Sequence, residues 1–141
     1  MTKRVLAIVP AYNEEDNIIS TIQDLEISAP GVDYIVIDDG SRDATPEICR
    51  EREYPIASLS VNVGLAGGFQ TGMKYAARMG YDYAVQFDAD GQHSAAYIDQ
   101  LVSAAEQSGA NIVVGSRFVN RKRPFSARMV GSALITLMIR L

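Results

Sequence analysis

Short apolar runs alternate along the chain with longer segments of helical spacing, and this alternation restricts the fold more than any other feature of the sequence. The apolar runs are rich in Val, Ile and aromatic residues and predict strands. They cover residues 4–10, 34–38, 56–60, 83–88 and 112–115. Apolar residues at three- and four-residue intervals predict helices over residues 13–28, 45–53, 66–79 and 95–107. We therefore expect an α/β fold, with a mostly parallel sheet covered by helices on both faces.

The chain of 141 residues has the size of a single domain, and its 48% hydrophobic and 21% charged residues are ordinary for a globular protein. Its one cysteine, Cys49, cannot form an internal disulfide, which favours a reducing compartment and an inert thiol. The N-terminal residues lack the apolar core of a signal peptide, and no apolar run approaches the ~20 residues that span a bilayer. We expect a cytoplasmic protein.

Charge is distributed unevenly along the chain. The net charge is -4, but all seventeen acidic residues lie at or before Glu106, together with seven of the thirteen basic residues. Residues 1–106 therefore carry a formal charge of -10, and residues 107–141 carry +6. A basic tail on an acidic body indicates an anionic partner, and a solvated basic face without a partner is the alternative.

Polar or glycine-rich segments follow four of the predicted strands. They comprise residues 10–14, 38–41, 62–68 and 88–93. The carboxyl ends of parallel strands lie at the same edge of a sheet, where open α/β proteins bind their ligands. We therefore expect these segments to form one binding site.

The segment after the fourth predicted strand contains Asp88 and Asp90, one residue apart. Two adjacent carboxylates repel each other, and a shared cation removes that repulsion. A capping turn before the next helix is the alternative, but it would need one acid rather than two.

Five motifs carry a family resemblance. In chain order they are VPAYNEE, IVIDDGSRD, NVGLAGG, DADGQH and GSRF. In this order and at these spacings they resemble family 2 glycosyltransferases, above all the branch of dolichyl-phosphate and polyprenyl-phosphate sugar synthases. The resemblance covers essentially the whole chain. It implies one Rossmann-like GT-A domain over residues 1–141, with a nucleotide-binding half over residues 1–93 and an incomplete acceptor- and membrane-facing part over residues 94–141.

The resemblance also implies how a donor would bind. The donor would be a nucleotide diphosphate sugar, with either UDP or GDP as its nucleotide. Its implied contacts are Pro10, Ala11, Tyr12, Glu14, Ile37, Asp39, Gly67, Asp88, Ala89 and Asp90. A divalent ion, Mg²⁺ or Mn²⁺, would be held by Asp88, Asp90 and Gln92.

Two loops carry finer expectations. Asp39 resembles the family's acidic contact to the base, whereas Asp38 beside it is expected to fix the turn with Ser41. The glycines of the NVGLAGG loop allow a close approach of the backbone at a helix start. Leu65 stands in that loop where many relatives have Lys or Arg near the diphosphate, so a side-chain contact to phosphate is not expected there.

The acceptor side raises the question of the catalytic base. Transfer to a sugar hydroxyl with inversion needs a carboxylate to accept the proton, and no acidic residue follows Glu106. A lipid phosphate is already ionised and needs no base. The resemblance implies that Arg117 and Arg128 hold that phosphate, because Arg can bond it through two N–H groups. It places Arg117 with Asp88 and Asp90 among the catalytic residues.

We therefore expect a metal-dependent inverting hexosyltransferase that moves a sugar to a polyprenyl or dolichyl phosphate. Two alternatives stay open: transfer to a saccharide hydroxyl in cell-wall or surface polysaccharide synthesis, and a truncated piece that only binds the nucleotide sugar. From Phe125 onward, apolar residues recur at helical spacing behind a basic start. This pattern predicts peripheral binding to the anionic inner face of a membrane, with a core helix as the alternative. No nucleic-acid partner is expected.

Overall fold

A computed structural model of the protein describes residues 3–91 and 94–115. The strands are β1 (Val5–Ala11), β2 (Asp33–Asp38), β3 (Ile56–Ser58) and β4 (Tyr83–Gln86). The helices are α1 (Ile18–Ser28), α2 (Thr45–Glu51), α3 (Gly64–Met79) and α4 (Ile98–Ser108), and a 3₁₀ turn (Ala95–Tyr97) directly precedes α4. The strands pair in parallel in the order β3-β2-β1-β4. These elements belong to one compact unit, Met1–Asn111.

Helices cover both faces of the sheet, as the sequence predicts. All seven residues of β1 are buried, because this strand lies at the centre and is packed on both sides. On one face, alternate residues of β1 pack in a cluster with α1, α2 and the start of α4. On the other face, Leu6 and Ile8 pack with β2 and with Ala76 of α3. Near-continuous apolar strands are typical of a parallel sheet that is buried on both faces.

The contact between α3 and the centre of the sheet depends on a glycine. A Cβ atom added to Gly72 would collide with the side chain of Ile8 on β1. Because Gly72 has no side chain, the helix backbone can approach the strand closely. The pattern of α3 therefore includes a small residue where an apolar residue would ordinarily face the sheet.

The strand prediction is confirmed for the first four apolar runs and is wrong for the fifth, residues 112–115. β3 and β4 are each two residues shorter than predicted, since they end at Ser58 and Gln86. Residues 112–115 have no regular secondary structure, and 82% of the surface of Ile112 and of Val114 is exposed. A short apolar run forms a strand only where a neighbouring strand supplies hydrogen bonds, and the sheet of the described residues consists of the four strands above.

The first helix begins later than the sequence predicts. Residues 13–17 were expected to be helical, but α1 begins at Ile18. Asn13 has a φ of +57°, which is incompatible with a right-handed helix. Of the helices formed by the described residues, none combines the length and the apolar character needed to cross a bilayer.

Candidate active site

A cleft of about 390 Å³ lies beyond the carboxyl ends of β1 and β2, at the edge where the sequence predicts a binding site. Its volume is within the range of small-molecule pockets. The residues that line it are Pro10, Ala11, Tyr12, Glu14, Asp39, Asn62, Gly64, Leu65, Gly68, Asp88, Ala89 and Asp90. Loops after all four strands therefore contribute to one cleft. Most of the predicted donor contacts are among these residues.

Two predicted donor contacts do not line the cleft. Ile37 is fully buried in the cluster beneath α3, and Gly67 lies in the first turn of α3. Three predicted site residues, Gln92, Arg117 and Arg128, lie outside the described residues. Their roles remain predictions.

The loop after β1 is fixed by reciprocal hydrogen bonds to the loop after β2. The N–H of Asn13 donates to the hydroxyl of Ser41 (3.0 Å), and the side-chain oxygen of Asn13 accepts from the N–H of Arg42 (2.8 Å). Asn tolerates the left-handed conformation better than most residues, which explains its presence at this position. The backbone of Tyr12, the preceding residue in the cleft, is thereby held in place.

A second set of reciprocal bonds joins the same loops. The N–H of Glu15 donates to Asp43 (3.1 Å), and the carboxylate of Glu15 accepts from the N–H of Ala44 (2.8 Å). The N–H of Glu14 donates to the hydroxyl of Thr45 (2.8 Å). Burial alone would raise the pKa of Asp43, but hydrogen bonds from Thr45 and from the N–H of Glu15 outweigh it and lower that pKa. The loops are therefore joined before any ligand enters.

Asp38 has the role that the sequence predicts. Its buried carboxylate accepts the N–H of Ser41 (2.9 Å) and so closes the turn after β2. Gly40 in this turn has a φ of +72°, and a Cβ atom there would lie 3.1 Å from the backbone of Val61 and of Asn62. The turn therefore requires glycine both for its conformation and for its close approach to the loop after β3.

Asp39 has a structural role that the sequence analysis missed. One carboxylate oxygen accepts the N–H of Val63 (2.7 Å), and the other accepts the N–H of Gly64 (2.8 Å). The side chain thus holds the loop after β3 and places a negative charge at the N-terminus of α3, which is favourable. Each carboxylate oxygen can accept a further bond, so the predicted contact to the base remains compatible with this geometry.

The acidic loop after β4 brings Asp88, Ala89 and Asp90 to the cleft. The side-chain amide of Gln86 donates to one oxygen of Asp88 (2.8 Å), which orients this carboxylate. Asp90 is exposed, whereas Ala89 between the two acids is buried. The two side chains can therefore point to the cleft while the loop backbone packs on the core.

The donor atoms of the cleft fit a hard divalent cation. Among residues 3–91 and 94–115, no three His, Cys, Asp or Glu side chains lie close enough together to enclose a metal ion. Asp88 and Asp90 alone would not enclose an ion, so such a site would need further ligands, from the predicted ligand Gln92 or from a bound molecule. Mg²⁺ is commonly held in this way, by one or two carboxylates together with phosphate oxygens of the substrate.

The parallel sheet, the cleft at its carboxyl edge and the acidic loop together define an α/β domain with a cleft at the edge where open parallel sheets bind ligands. Residues 6–138 match the protein family described as glycosyl transferase family 2. The chain belongs to this family, and the resemblance found in the sequence is confirmed.

Curated relatives agree with the polyprenyl-phosphate branch. The chain is 32% identical over 124 residues to a polyprenol monophosphomannose synthase of Mycolicibacterium smegmatis, covering 84% of this chain and 46% of the relative. It is 35% identical over 121 residues to an undecaprenyl-phosphate mannosyltransferase of Micrococcus luteus, covering 82% and 49%. The chain thus spans about half the length of the curated relatives it matches.

Solved structures confirm the GT-A fold. The S. aureus protein TarS in complex with UDP-GlcNAc has a TM-score of 0.64 at 20% identity, over 87% of this chain and 37% of that chain. A mannosyltransferase from Pyrobaculum calidifontis in complex with GDP-Man and Mn²⁺ has a TM-score of 0.54 at 24% identity, over 64% and 28%. At these identities the likeness concerns the fold.

Proposed function

We propose that the protein transfers a sugar, with inversion and with the help of a divalent metal, from a UDP- or GDP-sugar to a polyprenyl or dolichyl phosphate. The observation that carries the proposal is that one cleft collects the acidic pair Asp88 and Asp90 together with Tyr12 and Asp39. A nucleotide diphosphate sugar has a flat base at one end and a dianionic diphosphate between the ribose and the sugar. The cleft offers an aromatic side chain for the base, and a pair of carboxylates that would hold a divalent cation against the diphosphate.

The nucleotide half of the ligand would lie between the loops after β1 and β2. Tyr12 is 42% exposed, so its ring offers a face on which a base or ribose can pack. Pro10 and Ala11 form the floor beside it, and Asp39 lines the same cleft. The hydrogen bonds between the two loops fix these residues in advance, which lowers the cost of ordering them on binding.

The diphosphate half would face the acidic loop. Asp88 and Asp90, with Gln92 as a further predicted ligand, would hold Mg²⁺ or Mn²⁺ against the phosphate oxygens. When bound, such an ion stabilises the negative charge that develops on the departing diphosphate. Gln86 positions the Asp88 carboxylate through its 2.8 Å hydrogen bond.

The choice of acceptor rests on the similarity to relatives that are named for polyprenol and undecaprenyl phosphate. A phosphate acceptor is ionised near neutral pH and needs cations that position it rather than a base. Arg117 and Arg128 are the residues we assign to this task. Binding of the basic segment to an anionic membrane surface would place the protein peripherally on the inner face of the membrane, where a lipid phosphate is accessible.

Isothermal titration calorimetry with UDP, GDP and their sugars, with and without Mn²⁺, tests the donor site. In Asp90→Ala we expect the part of the nucleotide affinity that depends on Mn²⁺ to fall at least tenfold, because the exposed side chain is the proposed metal ligand. Asp99→Ala is the matched control, since Asp99 is also exposed but does not line the cleft. Equal Mn²⁺ dependence in Asp90→Ala and wild type would contradict the metal assignment.

Transfer itself is tested with a radiolabelled donor and liposomes that contain polyprenyl phosphate. Label in the lipid fraction would support the proposed acceptor. Label transferred only to a soluble saccharide would favour the hydroxyl acceptor. Nucleotide binding without any transfer would indicate that this chain is a binding unit.

A further inference from the structure

The acidic loop is joined to α1 by two hydrogen bonds that no family motif predicts. The hydroxyl of Thr21 donates to the carbonyl oxygen of Ala89 (3.0 Å), across 68 positions of the sequence. Three residues further along α1, the carboxylate of Asp24 accepts the N–H of Ala95 (2.8 Å). Residues three apart lie on the same face of a helix, so one face of α1 holds both the acidic loop and the start of the next helical segment.

We infer that Thr21 and Asp24 are positioning residues of the donor site, which set the direction in which the Asp90 carboxylate points. The inference rests on the proposed function, because it assumes that this carboxylate serves a metal and a diphosphate. Neither residue lines the cleft, so both would act through the loop rather than on the ligand.

The geometry of the Thr21 bond explains the effect. The carbonyl of Ala89 belongs to the peptide plane that leads directly into Asp90. Packing of the buried Ala89 against α1 fixes where the loop lies, but a methyl group does not define the rotation of that plane. A hydrogen bond to the carbonyl does define it. Rotation of the plane would change the direction of the Asp90 side chain even if the loop stayed in contact with the core.

Burial makes the bond difficult to replace. Thr21 is 2% exposed and Ala89 is 2% exposed, so solvent has little access to the carbonyl. A buried carbonyl that loses its donor is unfavourable, and the loop would rotate to find another partner. The second bond limits the loop from its other side. Asp24 also accepts the hydroxyl of Ser28 (2.6 Å), which holds its carboxylate in the orientation that receives Ala95.

Matched variants separate positioning from general stability. Thr21→Val keeps the shape of the side chain and removes the hydroxyl, whereas Thr21→Ser keeps the hydroxyl. Thr71→Val is the control on α3, because the Thr71 hydroxyl bonds only the carbonyl of Gly67 one turn back (2.9 Å) among the bonds described. For the second contact, Asp24→Ala removes the acceptor for Ala95. Glu26→Ala is its control, because Glu26 is an acid on the same helix that bonds Tyr34 rather than Ala95.

The main measurement is the ratio of nucleotide affinity with Mn²⁺ to that without it, for the folded protein. We expect Thr21→Val to lower this ratio about five- to tenfold, the scale of one hydrogen bond, and Thr21→Ser to remain within about twofold of wild type. Asp24→Ala should also lower the ratio, and Thr71→Val and Glu26→Ala should leave it unchanged. A merely structural role would reduce the folded fraction without changing this ratio.

Hydrogen exchange of the ligand-free protein gives a second readout. In Thr21→Val the amides of residues 88–91 should exchange faster than in wild type, while those of β1 should not. Suppose that the wild type binds nucleotide in a Mn²⁺-dependent manner. If Thr21→Val then shows an unchanged affinity ratio and unchanged exchange, this inference is overturned and the proposed function is not. A wild type without any Mn²⁺-dependent binding would overturn the proposed metal site and this inference with it.

Discussion

At the scale of single residues, Cys49 shows how the fold determines reactivity. The side chain lies on the inner face of α2 and is fully buried. Burial, with a smaller contribution from the negative charge of Asp38, raises the pKa of the Cys49 thiol to about 11. The thiolate is the reactive form, so a buried thiol with a raised pKa is inert near neutral pH. The sequence-based expectation of an unreactive thiol agrees with this environment.

The raised pKa of Cys49 predicts a loss of stability in alkali. The unfolded thiol releases its proton near pH 9, while the folded thiol keeps it up to about pH 11. The unfolded state therefore binds fewer protons between these values, and the free energy of unfolding should fall as pH rises from about 9 to about 11. Urea denaturation at several pH values measures this slope. Cys49→Ala should have a shallower slope, and an identical slope in the variant would contradict the assignment.

Asp39 shows what a sequence motif can and cannot reveal about a residue. The motif resemblance placed it at the base of the nucleotide, and it does line the cleft. Its two bonds to Val63 and Gly64 could not be predicted, because the partners are 24 and 25 positions away and are backbone groups without a side-chain signature. A motif resemblance predicts that a side chain lies near the ligand. It does not reveal which backbone groups the side chain also holds.

At the scale of elements, periodicity predicted the sheet and its helices but not the loops. The first four strands were identified because a strand buried on both faces needs a continuous apolar run. The late start of α1 was missed, because it depends on the left-handed backbone of Asn13, which hydrogen bonds to Ser41 and Arg42 in the loop after β2 hold in place. These bonds join residues about thirty positions apart and leave no pattern in the local sequence. The predicted strand over residues 112–115 failed for the related reason that strand pairing is a tertiary property.

The packing of α3 on β1 gives a prediction at this scale. In Gly72→Ala we expect the free energy of unfolding to fall by about 1–3 kcal/mol, because the new methyl group would collide with Ile8 in a filled core. Alanine has a higher helix propensity than glycine, by about 0.5–1 kcal/mol, and this gain offsets part of the cost of the collision. Gly31→Ala is the control, since no atom lies within 4 Å of its added Cβ.

A double-mutant cycle identifies the collision as the cause. Ile8→Ala alone should cost about 2–5 kcal/mol by leaving a cavity. In the double variant, the added methyl group of Gly72→Ala occupies part of that cavity, so the two effects should couple by about 0.5–3 kcal/mol. Thermal or urea denaturation of the four proteins measures the coupling. Strict additivity would show that the helix and strand adjust independently.

At the scale of the whole molecule, charge separates the chain into two parts. Residues 1–106 carry -10 and supply the acidic cleft, while residues 107–141 carry +6 and contain Arg117 and Arg128. An acidic body alone would be repelled by an anionic membrane, because both carry negative charge. A cation bound at Asp88 and Asp90 and a basic tail would each reduce that repulsion. The proposed donor and acceptor functions are thus assigned to parts of opposite charge.

This division predicts that the two arginines act on the acceptor and not on the donor. Arg117→Ala and Arg128→Ala should leave the nucleotide-sugar affinity nearly unchanged and weaken the binding of polyprenyl phosphate by about 1.5–3 kcal/mol, the scale of a hydrogen bond to a charged group. Lys at either position should restore only part of the binding, because an ammonium group cannot make the two parallel bonds of a guanidinium group. Co-sedimentation with liposomes that contain polyprenyl phosphate measures the effect.

The binding of the protein to these liposomes should weaken as salt rises, since screening reduces the attraction between exposed charges. Arg78→Ala, an exposed arginine in the last turn of α3, is the matched control and should bind like wild type. If the two arginine variants lose donor affinity instead, or keep wild-type acceptor binding, a saccharide acceptor becomes the better explanation.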